Sequence, residues 1–266
     1  MGGRGLYRKR EWHLKRGIKV IDDHTWEAHP KGMRRGKREK ASSEAKKRTN
    51  HMKKVDRCLK QLRHYFKPDD YFVTMVYAVE ERPSNLEDAK RDRKKIYEYL
   101  KAEYRKRGEE FRWICNIECG QKGAWHMHWV INRIQDTDVL IRRAWERVSR
   151  KGSINNRLLY KEGEFAKLAE YITKDPDSTA RAKRSGGSKG VLAQSDVSSS
   201  RNMPIPEPKT KIVKRSNTWG KKIRVPEGWY LDIESYYEGE NPYTGYKYRT
   251  YWLLPLEEQC TKRTYT

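Results

Sequence analysis

Between Phe111 and Asn132 the chain reads FRWICNIECGQKGAWHMHWVIN, and three of its side chains have the types and spacing to hold a metal ion. Two apolar runs flank a polar, glycine-bearing turn at Gly120 to Gly123, the pattern of a β-hairpin. Side chains on a strand alternate faces, so His126 and His128 point one way while Trp125, Met127 and Trp129 point the other. Glu118 ends the first run, where a four-residue turn places it beside the two histidines. Two imidazoles and a carboxylate on one sheet face make a divalent-metal site with positions left open for a substrate. A competing zinc site would use Cys115, Cys119, His126 and His128. On a regular strand the two thiols stand roughly 13 Å apart, too far for one tetrahedral ion. A bulge near Cys119 would rescue that arrangement, so it stays open as an alternative.

A second stretch, Phe165 to Asp175, reads as an amphipathic helix with Phe165, Leu168, Ala169 and Ile172 on its buried face. Lys167, Tyr171 and Lys174 fall at i, i+4 and i+7, so they project together from a neighbouring face. Pro176 takes the chain out of the helix near Asp175.

Other elements must position these groups. Ser43 caps a helix expected to run to about Phe66, with a stripe of Met52, Val55, Leu59, Leu62 and Phe66. Lys46, Lys47, Arg48, Lys53, Lys54 and Arg57 occupy its other faces and are candidate nucleic-acid contacts, as is Lys167. Tyr71 to Val79 is β-branched and aromatic enough for a central strand. A second helix begins at Ser84 or Asn85 and ends at Gly108, a third is capped by Asp136 or Thr137, and a strand covers Gly152 to Tyr160. Residues 1–42 read as a solvated basic arm in which Trp12 and Trp26 hint at a docked portion. Residues 178–210, rich in Ser, Gly and Pro, read as a flexible linker. The remaining segment, 211–266, is expected to form a small aromatic-rich β appendage with strands at Lys221 to Ile233 and Tyr243 to Leu254. The expected fold is therefore α+β, with a central antiparallel sheet flanked by helices over residues 43–177.

Charge points to the partner. Sixty Lys and Arg against 36 Asp and Glu give a formal charge of +24, and the first 60 residues alone carry an excess of 13 basic side chains. Such a balance favours a polyanion, and the basic helices lack the broad apolar face that inserts into lipid. Four cysteines in 266 residues are no disulfide framework, and the longest apolar run is too short to span a bilayer. A cytoplasmic protein without membrane contact is expected.

In this order the residues resemble the HUH endonucleases that initiate rolling-circle replication. Phe72-Val73-Thr74-Met75-Val76-Tyr77 matches their first, apolar-strand motif, and His126-Met127-His128 matches their His-hydrophobe-His motif. Glu118 lies eight residues before the first histidine, the common spacing of their metal-binding glutamate, and Tyr171-Ile172-Thr173-Lys174 matches their Tyr-x-x-Lys. The likeness runs from about Ser43 to Pro208 and is closest to the single-tyrosine replication proteins of bacterial plasmids, integrative elements and phages. Only one tyrosine sits in the helix motif, and no Gly-rich nucleotide-binding loop marks a fused helicase. The resemblance implies an RRM-like fold and a Mn²⁺ or Mg²⁺ ion on Glu118, His126 and His128. It also implies catalysis by Tyr171 and Lys174, with a 5′-phosphotyrosine link and a 3′-OH primer formed on single-stranded DNA of an origin hairpin. Host helicase and polymerase would follow. A transposase or relaxase would carry the same site, whereas a non-catalytic nucleic-acid-binding protein would keep only the charge.

Overall fold

The computed structural model describes residues 7–24, 43–120, 123–159, 164–174, 195–213, 223–240 and 247–256. In chain order the elements are β1 (Tyr7–Leu14), β2 (Gly17–His24), α1 (Ser43–Tyr65), β3 (Tyr71–Val76), a 3-10 turn (Val79–Glu81), α2 (Leu86–Lys106), β4 (Trp113–Cys119), β5 (Trp125–Ile131), α3 (Thr137–Glu146), β6 (Ser153–Leu158), α4 (Glu164–Thr173), β7 (Ser195–Ser199), β8 (Lys209–Val213), β9 (Trp229–Glu240) and β10 (Lys247–Pro255). They form two compact units, one from residues 43–205 and one from residues 1–42 together with 206–266. Each holds a five-stranded antiparallel sheet, so the fold is α+β.

In the 43–205 unit the strand order is β6-β3-β5-β4-β7. The hairpin of β4 and β5 sits at the centre, as its apolar runs require, with Glu118 directly opposite His126 and Asn116 opposite His128. The turn closes through the Gly120 N–H, which donates to the Ala124 carbonyl at 3.0 Å, and through Gly123 at φ 66°, a conformation that suits glycine. One sheet face is the core. Cys115, Ile117, Met127 and Trp129 are fully buried there with Ile96, Leu100 and Tyr104 of α2 and Leu140, Ile141 and Ala144 of α3. Asn85 starts α2 as expected, its side-chain oxygen accepting from the Asp88 N–H at 3.0 Å.

The opposite face carries α4, which packs on α1. The stripe on α1 is buried only in its second half. Leu59, Leu62 and Phe66 are enclosed, whereas Met52 is 60% exposed. Strand β3 also ends earlier than its composition suggests, at Val76, and Val79 instead opens the 3-10 turn and is exposed.

The expected linker is partly ordered structure. β7 is polar (SDVSS), yet it pairs with β4 from Ile114↔Ser199 to Glu118↔Ser195. Backbone pairing needs no apolar side chains, and Asp196 adds an ion pair to Arg93 of α2 at 2.5 Å. Beyond it, Gln61 donates to the Met203 carbonyl at 3.1 Å, and the Tyr65 hydroxyl donates to that of Pro204 at 2.5 Å. Residues 178–194 lie outside the described residues.

The second unit corrects the reading of both chain ends. Residues 7–24 are no free arm, for β1 and β2 form a hairpin within the sheet β8-β1-β2-β10-β9. Their arginines and lysines mask an alternating pattern whose apolar members Ile18 and Val20 pack with Tyr251 and Leu253 of β10. The C-terminal strands are shifted from their expected spans, with β9 at Trp229–Glu240 and β10 at Lys247–Pro255, and the sheet they enter is shared with residues 7–24 and 209–213. Trp12 is buried as a docked residue would be, and Trp26 lies outside the described residues. No described helix is long and apolar enough to cross a membrane.

Candidate active site

The sheet face beneath α4 presents its side chains in cross-strand rows. Glu118, His126, Val76 and Ser153 make one row, and Asn116, His128, Thr74 and Asn155 make the next. Strand alternation thus brings together the three residues singled out from the hairpin. Their ligand atoms lie within 4.8 Å of one another.

Each side chain is held from behind. His126 Nδ1 lies 3.1 Å from the Ala124 carbonyl, which orients the ring so that Nε2 faces Glu118. His128 Nδ1 lies 3.1 Å from the Thr74 hydroxyl. Asn116, fully buried, donates through its amide nitrogen to Glu118 Oε1 at 2.6 Å. Such supporting hydrogen bonds orient ligands at metal sites. Two oriented imidazoles and a carboxylate, all converging, fit a divalent cation with open coordination positions.

The cysteines do not join them. Cys115 and Cys119 point into the opposite, α2-lined core and are buried free thiols, paired across the ladder with Trp129 and Trp125. The ladder is regular through Cys119, with no bulge to turn either thiol around, and the four-ligand zinc site is excluded.

α4 delivers the remaining groups. The Tyr171 hydroxyl lies 3.1 Å from His128 Nε2, and its ring meets Phe72 and His128 edge-on at 6.0 and 5.0 Å between centroids. Lys174 Nζ stands 3.0 Å from Glu118 Oε2 and 4.3 Å from the Tyr171 ring centroid. Glu118 Oε2 also receives His126 Nε2 at 3.3 Å. Tyr171 and Lys174 therefore rest on the same atoms a cation would take, and an incoming ion competes with both. Tyr171 is still 42% exposed and open to a macromolecular substrate. Lys167 is exposed one turn before Tyr171. Lys46, Lys47, Arg48, Lys53, Lys54 and Arg57 are exposed along α1.

Burial is the largest single contribution at both Glu118 and His128. It raises the Glu118 carboxyl, but hydrogen bonds from His126 and Lys174 and the Lys174 charge outweigh it, leaving the group below the ordinary carboxylate value. For His128, burial and the charges of His126 and Lys174 outweigh the pull of Glu118 and bring the imidazole down to about 4. A histidine with a lowered folded-state value stabilises the fold above its unfolded value of about 6.5 and loses that contribution as pH falls towards the folded value. Metal-free protein should thus lose on the order of 2 kcal/mol through this residue alone between pH 6.5 and 4. Denaturant titrations in chelator across that range should show a shallower loss for His128→Gln than for the parent. Equal slopes would mean that His128 is not held neutral.

Two supporting residues were not among the sequence candidates. Asn116 was detectable as the residue two before Glu118 and so on its face, and Thr74 as an outward hydroxyl in an apolar strand.

Residues 70–176, about two fifths of the chain, match the family model described as replication-associated protein ORF2/G2P. No curated protein and no solved structure matches the chain.

Proposed function

We propose that the 43–205 unit initiates DNA replication by nicking one strand, with Tyr171 as nucleophile. The carrying observation is the Tyr171 hydroxyl 3.1 Å from His128 Nε2, inside a cluster with Glu118, His126 and Lys174. The match of residues 70–176 to replication-associated proteins supports the biological setting.

In this reading the Tyr171 oxygen attacks a phosphodiester phosphorus of single-stranded origin DNA and gives up its proton. The P–O3′ bond breaks, and the departing 3′ oxygen takes a proton. The products are a 5′-phosphotyrosine and a 3′-OH that primes synthesis. Glu118, His126 and His128 would hold Mn²⁺ or Mg²⁺, which when bound supplies Lewis-acid charge to the phosphate oxygens. Lys174 is placed to balance phosphate charge once it leaves Glu118. His126 and His128 are kept in their orientations by Ala124 and Thr74, so the site is arranged before DNA arrives. Lys46, Lys47, Arg48, Lys53, Lys54 and Arg57 of α1, and Lys167 of α4, offer phosphate contacts outside the reacting centre. Because the tyrosyl ester keeps the bond energy, a 3′-OH can later attack it and rejoin the strand without a nucleotide cofactor.

The test uses a pool of single-stranded oligonucleotides and Mn²⁺. A 3′-end label should become attached to denatured protein, a 5′-end label should appear on a shorter free fragment, and chelator should abolish both. Absence of any adduct across the pool would overturn the reading.

A further inference from the structure

A cavity of about 850 Å³ opens directly beside Tyr171 and His128, running over β3 to the edge strand β6. That volume lies within the roughly 300–1,000 Å³ of small-ligand sites. Its floor is apolar, with Phe72 and Val76 below and Phe165 and Leu168 of α4 as a wall. Phe72 already lies parallel to the His128 ring, 5.7 Å between centroids, with the rings 12° apart. The outer rim is polar, since β6 turns Ser153, Asn155 and Arg157 to this face opposite Val76, Thr74 and Phe72. Lys167 completes it from α4. Asn155, Arg157 and Lys167 are exposed, and none of their side chains makes a hydrogen bond or ion pair to another described residue.

We propose that this cavity takes one unpaired nucleotide of the DNA strand next to the scissile phosphate, with Phe72 against the base, Asn155 reading its edge and Arg157 on a backbone phosphate. The proposal rests on Tyr171 as the nucleophile, because the shared wall is what sets the occupant beside the cut. The chemistry of the lining matches such an occupant. A nucleobase is a flat apolar ring with a donor–acceptor edge, and an amide presents a donor and an acceptor side by side. Cations at the rim suit the adjoining phosphates. A base inside a duplex could not enter, so the cavity selects unpaired strand.

The test measures equilibrium binding of full-length protein to variants of one tightly bound single strand in which each position is varied through the four bases. The parent should prefer one base at one position by about 5- to 100-fold. Asn155→Ala should flatten that preference to within twofold while leaving preferences elsewhere. Arg157→Ala should lower the salt-dependence slope by about 0.7, one phosphate contact to single strand. Asn156→Ala, on the other face of β6, should behave as the parent. Unaltered discrimination in Asn155→Ala, or the same loss in Asn156→Ala, would overturn the subsite. Covalent adduct formation, scored in parallel, separates the two readings. Adduct without Asn155-dependent preference sinks the subsite alone. Preference without adduct sinks the nickase alone.

Discussion

Tyr171→Phe should bind single-stranded DNA within about twofold of the parent and form no covalent adduct, a loss of at least ~10⁴-fold in nicking. The ring stays because its edge contacts to Phe72 and His128 and its place under Lys174 do not involve the hydroxyl. Only the oxygen is lost, with its contact to His128 Nε2. That contact gives the variant a second signature. With the phenol gone from the Nε2 lone pair, a divalent ion has one competitor fewer, so metal affinity should hold or rise slightly. Denaturing gels of a labelled strand and metal titration followed by calorimetry read the two effects. Persistent adduct would assign the nucleophile to another tyrosine, and loss of metal binding would mean that the ring had moved.

His126→Ala and His128→Ala should each lower metal affinity by more than ~100-fold and nicking by about 10³-fold or more, with the fold retained. Asn116→Ala, which releases the Glu118 carboxylate, should cost roughly 10- to 100-fold as a supporting residue. Met127→Leu is the matched control. It lies between the histidines in sequence but is fully buried on the other face, and a volume-conserving exchange there costs under ~1.5 kcal/mol. Metal titration and nicking on the four proteins should rank them in that order. Equal damage from Met127→Leu would show that the site depends on general packing rather than on one sheet face.

The candidate site was legible because strand periodicity is strict. His126 and His128 share a face whatever the rest of the chain does, and a short turn leaves Glu118 little choice but to sit opposite. That Tyr171 and Lys174 project together followed from spacing on a helix, whereas their contacts to His128 and Glu118 did not, because spacing cannot say which strand the helix covers. β7 was hidden because an edge strand held by backbone pairing needs no apolar signature, and SDVSS has almost none. β1 and β2 were hidden for a different reason. Arg8 and Arg10 pair with Asp23 across the hairpin, so residues that read as unscreened charge are partly neutralised within the sheet.

The five-stranded sheet of the second unit has its strands drawn from both sides of the tyrosine-bearing unit. On the ribosome this sets an order of events. β1 and β2 emerge first, but a lone two-stranded hairpin is marginal in water, and its neighbours β8 and β10 do not yet exist. The wait is roughly 185 residues, on the order of 10–40 s at ~5–20 residues per second. During that interval the whole of 43–205 has been made and holds its own sheet and core. The 43–205 unit is therefore able to finish folding during synthesis, while the sheet that brackets it in sequence can close only after the last strand is made. A chain cut short after about residue 205 would keep every group placed around Tyr171 and leave the first two strands without a sheet to join.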